Sequence, residues 1–174
     1  MAPEVSAGAI YVVRNPLDVA ISFADFRGVS TDTAIANIGT SGASVATTDE
    51  QVFTLPGSWS ENVSTWTLVK DPSLLVVRYE DMVDRPAETF GTIARHVLMK
   101  HTAEQLGAAI AQSSFATLRV LEEESGFSER PANVKRFFRE GGHGQWRGLL
   151  TQPQIARVVA DHREQMMRFG YLPQ

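Results

Sequence analysis

Residues Ala9 to Ser22 set a continuous apolar run directly before a strongly marked helix start. Ala9-Ile10-Tyr11-Val12-Val13 lacks polar alternation, the pattern of a parallel strand buried on both faces. Asn15 suits a helix N-cap, Pro16 the first helical position, and Asp18 the positive end of the helix dipole. Ligands of open α/β sheets gather beyond the carboxyl ends of the strands, where Arg14 falls. Its guanidinium offers a fork of donors for phosphate, and Ser22 adds one hydroxyl from the first turns of the helix. Taken alone, an arginine after a strand also reads as a surface ion pair.

The bulk numbers bound the alternatives. The 174 residues suffice for one domain with a real core, and 43% hydrophobic with 21% charged residues is ordinary globular composition. A formal net charge of −4 argues against a nucleic-acid binder, which normally carries a basic surplus. Only Lys70, Lys100 and Lys135 are lysines; every other basic residue is arginine, the better group for planar phosphate recognition. With no cysteine, disulfides, thiolate catalysis and cysteine–zinc sites are excluded. No histidine pair has metal-ligand spacing, so no metal is expected. No apolar run approaches a membrane span, and residues 1–8 lack the features of a signal peptide. The expectation is a cytoplasmic protein with no membrane or nucleic-acid partner.

Strand and helix signals alternate along the chain. A helix is expected from Pro16 to about Arg27, closed by Gly28, and a short one over Thr31–Ile38. Gly39 to Ser44 reads as a flexible linker. Ser58–Leu68 has helical spacing behind a Ser58 cap. Leu74–Val77 reads as a second buried strand, and Pro86 to about Leu98 as a helix. Thr102-Ala103-Glu104-Gln105 has the form of a capping box, Ser114–Glu124 reads as helical, and Thr151 opens the last helix, which ends at Gly170. Gly126–Gly148 is a long polar segment, and loops of that length in a compact domain are usually functional or mobile. The pattern indicates an α/β layered fold with a parallel sheet, although two convincing strands are too few for a self-sufficient one.

Three further segments carry candidate chemistry. Tyr79 follows the second strand in Arg78-Tyr79-Glu80-Asp81, where it reads either as core or as a ring and hydroxyl offered to a ligand; Glu80 and Asp81 read as bracing carboxylates. In Ser113-Ser114-Phe115-Ala116-Thr117-Leu118, Phe115 reads as core packing or as a stacking surface for a flat base, with Ser113 able to bond to it. In Phe137-Phe138-Arg139-Glu140-Gly141-Gly142-His143-Gly144-Gln145-Trp146-Arg147, the glycines let backbone N–H groups approach an anion, Arg139 adds a fork, and Trp146 anchors the return. His96 and His162 read as core-edge or surface residues, His101 and His143 as loop residues, and Glu122-Glu123-Glu124 as a solvated helix face.

Arg-Asn-Pro-x-Asp-Val-x-x-Ser over Arg14–Ser22 resembles the 3′-phosphate-binding element of the sulfotransferases, which use 3′-phosphoadenosine 5′-phosphosulfate (PAPS) as donor. Arg78–Asp81 is similar to that family's arginine-tyrosine-glutamate-aspartate segment, whose tyrosine contacts the nucleotide. Ser113–Leu118 resembles its adenine-packing segment. Phe137–Arg147 resembles its Phe-x-Arg-Lys-Gly-x-x-Gly-x-Trp-Lys loop over the 3′-phosphate, with Glu140 where lysine is usual. The match runs in family order from about Ile10 to Leu172. The resemblance implies a P-loop-type fold with a parallel sheet flanked by helices, and residues 1–174 as a single, partial domain.

The resemblance also implies donor contacts by Arg14, Ser22, Tyr79, Ser113, Phe115, Leu118, Arg139, Glu140 and Gly141. The implied reaction is sulfuryl transfer to an acceptor hydroxyl or amine, with adenosine 3′,5′-bisphosphate as product, in a bacterial style of enzyme. The family's amino-terminal phosphosulfate loop, with its lysine, and its catalytic histidine have no counterpart here: the first lysine is Lys70 and the first histidine His96. The expectation is therefore a domain truncated at its amino terminus, with no catalytic residue of its own and an unpaired sheet edge that invites self-association. An inactive nucleotide-binding module and a remnant that binds nothing stand as alternatives.

Overall fold

The computed structural model describes residues 8–48, 52–128, 130, 136–138 and 141–173. In chain order the elements are β1 (Ala9–Val13), α1 (Pro16–Arg27), α2 (Thr31–Gly39), α3 (Trp59–Thr67), β2 (Leu74–Arg78), α4 (Tyr79–Asp84), α5 (Pro86–His96), α6 (Ala103–Gln112), α7 (Phe115–Ser125), α8 (Trp146–Leu149) and α9 (Gln152–Arg168). The chain divides into two units, one formed by residues 1–14 and 70–143 and the other by 15–69 and 144–174.

In the first unit, β1 and β2 pair in parallel, in register from Ala9 opposite Leu74 to Val13 opposite Arg78. His96, at the end of α5, donates from Nε2 to the carbonyls of Ala9 (3.1 Å) and Ser73 (3.0 Å), tying the two strand starts together. Burial pushes the Tyr11 hydroxyl up to about 12. Burial of β1 on both faces is not observed. Ile10 is 38% and Val12 45% exposed, and only Val77 of β2 is buried. Successive strand residues point to opposite faces, so Ile10 and Val12 share one; composition does not tell a covered face from an open one.

The starts of α6 and α7 follow side-chain chemistry. Thr102 accepts the Gln105 N–H at 3.1 Å while Gln105 accepts the Thr102 N–H at 2.9 Å, the expected capping box of α6. Ser114 caps α7 by accepting from the Thr117 N–H. α5 stops at His96 rather than Leu98 because Leu98 takes a positive φ of 57° and its N–H turns to the Arg95 carbonyl. α4 was not legible in the sequence: it begins at Tyr79, immediately after β2, with no side-chain cap.

In the second unit, α1, α2, α3 and α9 bury Leu17, Ala20, Ile35, Val63, Val158 and Met166. Asn15 caps α1, its Oδ1 accepting the Leu17 N–H at 3.0 Å, and Gly28 closes the helix in the left-handed region. Asp18 does more than complement a dipole. It is 2% exposed, and its carboxylate accepts the N–H groups of Gly144 (2.6 Å) and Trp146 (3.1 Å). The irregular stretch before α3 is held by Glu61, which accepts from the Ser41 hydroxyl and from the N–H groups of Ser58 (2.7 Å) and Gly42 (2.9 Å). Those bonds, Ser41 foremost, pull the Glu61 carboxyl down to about 2.

His162 is a core residue rather than a core-edge one. Its Nδ1 meets the Ser60 hydroxyl at 2.9 Å, its ring lies edge-on to Trp59, and burial lowers its pKa. Among the described residues, no helix is long and apolar enough to cross a membrane.

Candidate functional site

The candidate site of the first unit starts from the ends of β1 and β2. Because Val13 lies opposite Arg78, the next residue of each strand is brought alongside the other, and these are Arg14 and Tyr79. The Arg14 guanidinium carbon lies 4.4 Å from the centre of the Tyr79 ring, and Nη2 donates to the Gly142 carbonyl at 3.1 Å. The stacking orients the cation, and the hydrogen bond ties it to the glycine segment. Tyr79 is half-buried as the first residue of α4, so its ring serves as a platform for Arg14 rather than as core.

The glycine segment continues from Gly142 to the adenine candidate. Gly141 has a φ of +52°, and a Cβ built there would overlap the ring of Phe115. Glycine is therefore needed at 141 both for its backbone conformation and for its approach to an aromatic face. Leu118 lies one turn beyond Phe115, on the same side of α7. Phe115 meets Phe138 edge-on at 6.1 Å between ring centres, and Phe127, Phe137 and Phe138 form a cluster with centres 4.6–5.1 Å apart.

Contacts thus run from Tyr79 through Arg14, Gly142 and Gly141 to Phe115. Ser113 is exposed at the carboxyl cap of α6 and has no described contact with this chain of residues. Ser22 is exposed on α1 in the second unit. Arg139 and Glu140 lie outside the described residues.

Two features of this unit have no local signal in the sequence. Glu122, read as part of a solvated acidic face, is only 6% exposed and accepts the N–H groups of Phe137 (2.7 Å) and Phe138 (2.9 Å). These bonds, with Arg130 and Arg136 nearby, hold its carboxyl below the usual carboxylate range. His143 is paired through Nε2 with Asp84 Oδ1 at 2.9 Å, a contact 59 positions distant in sequence. Asp81, read as a brace, is one, pairing with Arg85 at 3.0 Å.

The model of the sulfotransferase domain matches residues 4–170. The chain belongs to the sulfotransferase family. Family members at the level of sequence include mouse sulfotransferase 2A2, 28% identical over 171 residues, which span 94% of this chain and 58% of the relative. Rabbit amine sulfotransferase is 26% identical over 173 residues, with 94% and 56% covered. The chain thus spans less than two thirds of the curated relatives it matches.

Among family structures, mouse sulfotransferase SULT7A1 complexed with PAP superposes with a TM-score of 0.68 at 19% identity, over 92% of this chain and 58% of that one. Retinol dehydratase in complex with androsterone and PAP gives 0.67 at 18%, over 91% and 47%. The fold is accordingly the P-loop-type α/β fold of the family, as the sequence implied. The sequence relatives named are mammalian and lend nothing to a bacterial style.

Proposed function

We propose that this chain binds the 3′-phosphate and adenine half of PAPS, in an enzyme that transfers the sulfuryl group to an acceptor hydroxyl or amine. In that reaction a bond forms from the acceptor heteroatom to sulfur, the bond from sulfur to the phosphate oxygen breaks, and adenosine 3′,5′-bisphosphate (PAP) leaves. The observation that carries the reading is the run of contacts from Tyr79 through Arg14 and the glycines to Phe115. It sets an oriented cation at one end and an aromatic face at the other, as a nucleotide bearing a phosphate requires. The PAP complexes of SULT7A1 and retinol dehydratase support the choice of nucleotide.

Within this reading, Arg14 neutralises the 3′-phosphate, with Ser22 and Arg139 assigned to the same group by their motifs. Tyr79 holds Arg14 in place. Phe115 and Leu118 pack against adenine, Ser113 bonds to its edge, and the Gly141 backbone lines the phosphate side. Glu140 replaces a lysine, so one cationic contact is lost and the remaining arginines carry the charge balance. The acceptor is a small molecule, and the protein works in the cytoplasm.

The 174 residues by themselves bind nucleotide without turning it over. Developing charge at the leaving oxygen and the acceptor proton need a cation and a base, and the family's lysine and histidine have no counterpart before Lys70 and His96. Titration with PAP, beside an assay of sulfuryl transfer by this polypeptide alone, tests both statements: saturable binding with no turnover is expected. The apolar face of β1 that Ile10 and Val12 expose favours burial against a second copy of the chain. Sedimentation that shows only monomer at high concentration would remove that element.

A further inference from the structure

We propose that Glu122 is a positioning residue for the donor nucleotide, holding the entry to the glycine segment in the conformation that binds it. The inference rests on the nucleotide-binding reading above. Glu122 belongs to a run of three glutamates, yet it alone of the three is buried. Its neighbour Glu123 makes exposed ion pairs with Arg119 (3.6 Å) and Arg136 (3.0 Å). Glu122 instead turns to the main chain, accepting the consecutive N–H groups of Phe137 and Phe138 at 2.7 and 2.9 Å.

Those two amides immediately precede Arg139 in the sequence. Two consecutive donors directed at one carboxylate fix the peptide plane between them, and charge-assisted bonds of this kind are about twice as strong as neutral ones. The side chains of the same residues are fixed as well. Phe138 lies edge-on to Phe115, and Phe115 fills the space left by the missing side chain of Gly141. Glu122 therefore fixes Phe137 and Phe138, and Phe138 in turn meets Phe115, the ring against which Gly141 packs.

The carboxylate is essential to this role. Glutamine has one acceptor oxygen, and its NH2 group would face a second N–H donor, so one of the two amides would lose its partner. Aspartate keeps the charge and both oxygens on a shorter arm. A residue that merely stabilised the fold would lower the melting temperature and leave the affinity of the folded protein for PAP unchanged.

The test compares the native chain with Glu122→Gln, Glu122→Asp and the exposed control Glu124→Gln. PAP affinity is measured by calorimetry, and exchange of the Phe137 and Phe138 amides by NMR. The expected result for Glu122→Gln is at least tenfold weaker PAP binding with at least tenfold faster exchange of those amides. Glu122→Asp should recover part of both, and Glu124→Gln should match the native chain. PAP affinity of folded Glu122→Gln within twofold of native would overturn the proposal. Should Glu122→Gln fail to fold, Glu122→Asp decides: native affinity with native exchange overturns it, and loss of both supports it. A native chain that does not bind PAP defeats the functional reading and this role with it. Native binding left unmoved by Glu122→Gln defeats this role alone.

Discussion

Arg14 and Tyr79 stand side by side because β1 and β2 run parallel and in register up to Val13 and Arg78, which leaves the guanidinium carbon 4.4 Å from the centre of the tyrosine ring. Strand pairing thereby sets the direction of a cation at the strand ends, where ligands of such sheets bind. The same guanidinium donates to Gly142, so the strand ends and the glycine segment share one residue.

Removing the ring should release the cation. Tyr79→Ala is expected to weaken PAP binding by about 0.5–2 kcal/mol, the worth of a cation–π contact. Tyr79→Phe, which keeps the platform and loses only the hydroxyl, should cost less. Calorimetric titration of both variants checks this; equal losses would mean that the hydroxyl, and not the ring, is what matters.

Gly141→Ala should cost about 1–3 kcal/mol of stability from the left-handed backbone alone, and its Cβ would displace the Phe115 ring. Gly141→Asn separates the two effects, because asparagine tolerates the backbone conformation and still meets the ring. If the Phe115 contact matters, both variants lose PAP affinity; an asparagine variant with native affinity would speak against it.

Asp18 anchors the return of the chain after the glycine segment. Asp18→Asn leaves one of the Gly144 and Trp146 amides facing a donor instead of an acceptor. A loss of about 1–3 kcal/mol is expected, the cost of a buried unsatisfied group. Urea denaturation measures it, and the shift should exceed that of Asp161→Asn, which removes an exposed carboxylate.

Two groups of the second unit respond to acid in different pH windows. Burial lowers the pKa of His162 from 6.5, so the folded state favours the neutral ring. Its contribution is complete above that value and is lost as the pH falls through the folded-state pKa. Glu61, pulled from 4.5 to about 2, contributes fully above its ordinary value and loses that contribution only as the pH falls toward 2. Unfolding midpoints followed by tryptophan fluorescence should therefore begin to drop below about pH 6.5. His162→Gln should flatten that first step and leave the more acidic one.

The sequence disclosed those parts of the structure whose causes are local. Asn15 with Pro16, Thr102 with Gln105, and Ser114 each announce a helix within a few residues, and all three cap one in the structure. Arg14, Tyr79 and Phe115 were legible as site candidates because their segments occur in family order. What stayed hidden depends on distant partners. Glu122 is indistinguishable from Glu123 and Glu124 until the amides 15 and 16 positions later close on it. Asp18 finds its amides at positions 144 and 146, far along the chain. The open face of β1 depends on what lies above it, which an apolar run does not encode.

The central claim is that Arg14 faces a phosphate. The most direct measurement is a titration of PAP and of adenosine into the native chain and Arg14→Ala. Saturable PAP binding by the native chain is expected, with a loss of about 1.5–3 kcal/mol in Arg14→Ala and adenosine binding that the substitution leaves in place. PAP affinity unchanged by Arg14→Ala, or no PAP binding by the native chain, would contradict it.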